Sequence, residues 1–208
     1  AIGGGSSNEA QGGDYQTIGG GQINGVTGNY STVGGGSQNK VFQEQSAIFH
    51  GYYNNLSGTQ SFIGGGATNN LSGNQNVLVG GVTNSLTGLR SFLGGGHGNS
   101  LSGTNYSALI GGYQNEVIDS QYSVLVGGYR CSLTTADYAF IGGGYHNEIT
   151  GSNGNYSTIA GGLQNGIDGL EHFIGGGIQN NIRGGKKRSF IGAGYLNNVS
   201  GSDYSLVV

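Results

Sequence analysis

One aliphatic residue recurs along this chain just before a run of glycines, and the surrounding polar and apolar positions repeat with it. Taken as position zero, it falls at Ile2, Ile18, Val33, Ile48, Ile63, Leu78, Leu93, Leu109, Leu125, Ile141, Ile159, Ile174, Ile191 and Val207, at intervals of 15 to 18 residues. Three positions later every unit has glycine, from Gly5 to Gly194. Six later, asparagine stands in twelve of thirteen units, with Cys131 the exception. Eight later comes a second apolar site, including Val26, Leu56, Leu101, Ile149 and Val199, and ten later glycine returns in ten of thirteen units. Repeats of this kind decide the architecture before any single element is assigned.

The spacing predicts an all-β parallel β-solenoid, a β-roll of about thirteen coils of 15–18 residues, with residues 1–208 forming a single repeat domain. Ser31 and Val33, two apart, point to one face of a short strand. The glycines then allow a turn with positive φ or a close approach of backbones. A second short strand carries the asparagine and the second apolar site, so each coil puts two apolar side chains into a thin continuous core. Fifteen residues are too few for a helix, a strand and their connections. The asparagine row reads as an inward hydrogen-bonding ladder, and Cys131 as a small buried substitute within it. The other reading, a glycan acceptor or ligand contact, draws on sequons at Asn29, Asn55, Asn70, Asn105, Asn155 and Asn198. A repeat of this composition generates those automatically, and most lie at other offsets.

The residue before position zero faces away from the coil's own core, yet it reads Thr17, Thr32, Ala47, Phe62, Val77, Phe92, Ala108, Val124, Phe140, Thr158, Phe173, Phe190 and Leu206. Two residues earlier stand Tyr15, Tyr30, Tyr106, Tyr122, Tyr138, Tyr156 and Tyr204, expected on the same face. A strand apolar on both faces is usually covered on both, and such a column left in water is a large exposed patch. Self-association along the column is the economical answer. It predicts Phe62, Phe92, Phe140, Phe173 and Phe190 as inter-chain contacts.

Units such as "SFIGGGATNNLSG" (Ser61 to Gly73) and "SALIGGYQNEV" (Ser107 to Val117) resemble the head repeats of trimeric autotransporter adhesins, the YadA-like heads, and related repeats of phage and viral fibres. The resemblance runs through all 208 residues on a short Gly/Ser-biased motif. It implies a left-handed parallel β-roll, three chains about one axis, and attachment to a surface. The doubled or tripled glycines, the asparagine row and the longer coils depart from the pattern.

Composition narrows the chemistry. Of 208 residues, 48 are glycine and none is proline, while only 8% are charged. Collagen needs glycine at every third position together with proline, and a disordered chain lacks such regular aliphatic and aromatic positions. A net charge of −3 gives no steering toward nucleic acid, and no apolar run approaches the roughly 20 residues of a membrane span. The single cysteine says nothing about compartment. The five aspartates form no column, the four histidines occupy four different offsets, and no paired carboxylates suit hydrolysis. The sequence therefore predicts no enzyme activity, no catalytic or metal-ligating residues and no cofactor.

Opening on "AIGGG" and closing on "YSLVV", both inside repeats, the chain reads as a segment of a longer fibrous protein. The expected function is a non-enzymatic structural or adhesive module outside the cell, on a cell-surface adhesin or on a viral or phage fibre. Its partners would be its own copies and a cell-surface glycan or host receptor. A tail-spike-like glycan-processing enzyme is the alternative from another class. Ice binding is a weaker one, since only Thr17, Thr32 and Thr158 occupy the outer column. Two long units break the period, around "GSNGNY" (Gly151 to Tyr156) and "RGGKKR". In the second, Arg183, Lys186, Lys187 and Arg188 hold four of the seven basic residues and make a candidate surface contact for anionic groups.

Overall fold

The computed structural model describes residues 1–151, 154–184, 188–201 and 204–208. It is an all-β parallel β-solenoid of about twelve turns, and no helix occurs among the described residues. The first zero position, Ile2, joins its neighbour Ile18 through an isolated bridge and not through a strand. Two compact units divide the chain, residues 1–98 and 99–208.

In the first unit a front sheet runs from Thr17–Ile18 through Thr32–Val33, Ala47–Ile48, Phe62–Ile63 and Val77–Leu78 to Phe92–Leu93. The back sheet comprises Glu9–Ala10, Gly25–Val26, Lys40–Val41, Asn55–Leu56, Asn70–Asn74 and Ser85–Leu89. Pairing is parallel and one unit out of phase, as in Val33 with Ile48 and Val41 with Leu56. In the second unit, front strands run from Ala108–Leu109 to Leu206–Val207 and back strands from Ser100–Asn105 to Asn198–Ser200.

The core is the two aliphatic columns that periodicity predicts. Zero-position residues from Ile18 to Ile191 and plus-eight residues from Val26 to Ile182 are essentially without solvent exposure. Each such burial contributes roughly 1.5–3 kcal/mol.

Both halves of a coil use one four-residue device. A residue with positive φ turns the corner, an inward polar residue follows, then an outward residue and an inward aliphatic one. Tyr30 (φ 55°), Ser31, Thr32 and Val33 form one copy, and Gln38 (φ 58°), Asn39, Lys40 and Val41 the other. The tyrosines are thus at corners, not in the front strands, which begin one residue before position zero. A left-handed non-glycine residue costs about 1–2 kcal/mol. Here its N–H is turned to the preceding coil, so that Tyr30 donates to the Asp14 carbonyl at 2.9 Å and Gln38 to that of Gln22 at 2.9 Å. Axial hydrogen bonding therefore passes through the corners.

The inward polar residues make two ladders. Asn39 donates through Nδ2 to the carbonyls of Gly35 (3.0 Å) and Gly51 (2.8 Å), and its Oδ1 accepts the N–H of Asn54 at 3.1 Å. The glycine at plus three makes room for this amide. At Gly36 (φ 91°) a β-carbon would stand 2.8 Å from the Asn39 Nδ2, in a region that disfavours side chains. Cys131 occupies its ladder position fully buried, its N–H donating to Asn115 Oδ1 at 2.8 Å. Sequence periodicity did not show that serine two before zero is the counterpart of asparagine. Ser46 Oγ donates to the Gly58 carbonyl at 2.7 Å and accepts the Ser61 N–H at 3.1 Å.

Candidate interaction surfaces

The front sheets carry the apolar outer columns. Phe62, Phe92, Phe140, Phe173 and Phe190 all point outward, but each is only 37–38% exposed. The reason lies two residues on. Every one of these phenylalanines is followed at plus one by glycine: Gly64, Gly94, Gly142, Gly175 and Gly192. For Gly142, Gly175 and Gly192 a β-carbon would stand 3.4 Å from Cε1 of the ring. The ring lies across its own coil's glycine. In four coils a smaller outer residue goes with a larger one at plus one, Ala47 with Phe49, Val77 with Val79, Ala108 with Ile110 and Val124 with Val126, whereas Thr17 and Thr32 keep glycine there, at Gly19 and Gly34. In those four coils bulk is traded between the two positions.

The corners carry a second pattern. In the second unit Tyr106, Tyr122, Tyr138 and Tyr156 stack ring on ring, with centroids 4.9–5.1 Å apart and planes within 7°. Tyr113, Tyr129 and Tyr145 form a parallel stack at another corner. Desolvation, with added repulsion from Tyr122 and Tyr156, pushes the Tyr138 hydroxyl above its ordinary value. In the first unit Tyr15 and Tyr30 stack at this corner as well, centroids 5.0 Å apart, and Gln45, Gln60 and Gln75 hold the next three coils, bonded amide to amide at 2.9 Å.

The back sheets are polar outside, and their outer column at plus seven is Glu, Lys, Asn or Ser except at Gly25 and Gly166. A recess adjoins each of these two glycines. In the first unit a pocket of about 350 Å³ is lined by Ile23, Gln38, Lys40, Phe42, Tyr53, Asn54 and Asn55. The Lys40 stem lies over Gly25, its Cγ 3.8 Å from where a β-carbon would be. In the second unit a shallower recess at Gly166 is edged by Glu148, Thr150, Asp168, Asn181 and Arg183.

The candidate basic contact is divided. Arg183 pairs in register with Asp168 and edges the Gly166 recess. Arg188 is bound to Glu171 at 2.7 Å, and this hydrogen bond raises its pKa from the ordinary guanidinium value. Lys186 and Lys187 lie outside the described residues. Among the described residues no group of three or more His, Cys, Asp or Glu side chains is placed to hold a metal ion. Burial pushes the Cys131 thiol up.

The two recesses escaped the sequence reading, which followed conserved columns and not departures from them. The available signal was the glycine at plus seven with apolar or charged residues at plus five and plus nine in adjoining units. No protein-family model matches the chain, and no curated protein matches it.

Proposed function

We propose that this chain is a non-enzymatic structural and adhesive module, a segment of a longer extracellular fibre of the cell-surface adhesin or viral and phage fibre kind. It works as a homotrimer joined through the front faces. One observation carries the reading: the apolar column on the outer front face, which runs from Ala47 to Phe92 in the first unit and from Ala108 to Phe190 in the second, broken there by Thr158. A column with a fixed axial repeat suits a second and third copy in parallel, because identical residues then meet at every rung. Water-exposed patches of this kind otherwise favour unspecific association. The resemblance to trimeric adhesin heads supports the same arrangement, and rigid coils suit a part that spaces or presents a binding surface.

Light scattering on the purified chain tests it. The expected mass is three times the 21.1 kDa chain, and Phe92→Asp with Phe140→Asp dissociates the particle by placing unpaired charges in the contact. A monomer at micromolar concentration overturns the trimer.

A further inference from the structure

In a solenoid each outer column has an ordinary residue, so clustered departures from the columns mark a surface shaped for something else. On the back face, plus five is polar or charged in nine of thirteen units, plus seven is usually a polar or charged residue, and plus nine is usually Ser or Thr. Three consecutive coils of the first unit depart together. Ile23 and Tyr53 replace the polar corner residue, Gly25 empties the outer position, and Phe42 stands where Ser57 and Ser72 stand in the next coils. The result is the recess of about 350 Å³, whose polar lining includes Lys40, Gln38 and Asn55. Ile23, Phe42 and Tyr53 are each more than two-fifths exposed. Among the described residues Lys40 forms no ion pair, and it is the one lysine of the first unit, with Arg90 its one arginine.

We propose that this recess binds a carboxylated sugar ring, of the hexuronate or sialate type. The ammonium of Lys40 meets the carboxylate, and the apolar surround lowers the local dielectric and strengthens that pairing. Phe42 and Tyr53 cover the C–H faces of the ring. The amide of Gln38, with two donors and an acceptor, and that of Asn55, which gives one N–H to Asn70 Oδ1 at 3.1 Å and keeps a donor and its oxygen, suit adjacent hydroxyls. A neutral sugar leaves the lysine unanswered, and a simple aromatic acid leaves the amides unanswered. Pockets that combine apolar walls with a few polar groups recognise small molecules in this way. The proposal deepens the adhesive reading by naming a receptor chemistry. It rests on that reading for its biological sense, while the binding itself is independent of trimer formation.

Heteronuclear NMR titration of the full chain tests it, with glucuronate, N-acetylneuraminate, glucose and benzoate as probes. Expected is a localised shift of the backbone amides of residues 23–25, 38–42 and 53–55 with glucuronate, N-acetylneuraminate or both, saturating in the millimolar range. Whichever of the two binds more tightly distinguishes an internal uronate from a terminal sialate. Glucose and benzoate are expected to leave those amides in place. Lys40→Gln should weaken binding about tenfold. Phe42→Ser, which installs the residue of the neighbouring coils and so keeps the fold, should do the same. Absence of a localised shift with either carboxylated sugar, equal binding of glucose or benzoate, or unchanged affinity in Lys40→Gln overturns the proposal. Light scattering on the same samples reports self-association separately, so either reading fails without the other.

Discussion

The ring of Phe62 lies across Gly64: a β-carbon on that glycine would stand 3.5 Å from the phenyl Cε1 and would also run into the carbonyl of Val79 in the next coil. The glycine thus serves two neighbours at once, giving the ring a seat and letting adjacent backbones close up. It explains why five phenylalanines on an outer face share nearly the same partial exposure.

Gly64→Ala is therefore expected to destabilise the fold by about 1–3 kcal/mol through overpacking. Replacing Phe62 by alanine in the same chain should recover none of the loss, since the ring at 3.5 Å makes an ordinary contact and it is the Val79 carbonyl that obstructs the β-carbon. Urea denaturation of the single and double variants measures both effects. Full recovery in the double variant would place the whole strain at the ring.

Asn54 holds one rung of the inner ladder. Its Oδ1 accepts the N–H of Asn69 at 3.1 Å and its Nδ2 donates to the Gly66 carbonyl at 2.9 Å. Asn54→Ala leaves the buried Asn69 N–H without its partner, at about 1–3 kcal/mol, while the Gly66 carbonyl keeps the N–H of Tyr52 at 2.9 Å. The urea midpoint should fall well below that of Asn55→Ala, whose side chain points outward. Equal midpoints would show that water replaces the amide.

Cys131 is buried and its thiol is held neutral by desolvation. Reaction with a thiol reagent in the native protein should be slow and should accelerate on unfolding. Because the folded pKa is raised above the unfolded value of about 8.5, the stability linked to this thiol is fully present below that pH. It declines as pH rises through the folded value. Cys131→Asn restores the ladder residue and should stabilise by about 1 kcal/mol, removing that alkaline loss as well. Chemical denaturation at neutral pH and above pH 9 tests the sign.

Tyr122 combines a left-handed backbone, φ 53°, with ring stacking on Tyr106 and Tyr138. Tyr122→Ala keeps the strain and loses the stacking, worth about 0.5–1.5 kcal/mol per pair. Tyr122→Gly loses the stacking but relieves the strain, so it should be the more stable variant by about 1 kcal/mol. Thermal unfolding of the two proteins decides it, and a less stable glycine variant would refute the strain argument.

The sequence by itself determined which residues face inward. Val33, Val41, Asn39 and Cys131 could be placed because strand side chains alternate with period two and a solenoid stacks like upon like. The all-β class and the coil length followed from the same register. Tertiary structure decided what depends on neighbours about fifteen residues away. A tyrosine at a left-handed corner carries no local signal, because Tyr30 reaches that conformation through an N–H bond to the coil before it. The equivalence of the serine and asparagine ladders appears only when Ser46 and Asn39 are seen completing their bonds to adjoining coils. The seating of Phe62 on Gly64 also rests on backbone spacing between coils. The recess around Lys40 is a property of three coils at once: Gly25, Phe42 and Tyr53 are unremarkable one by one, and only stacking brings them to one place.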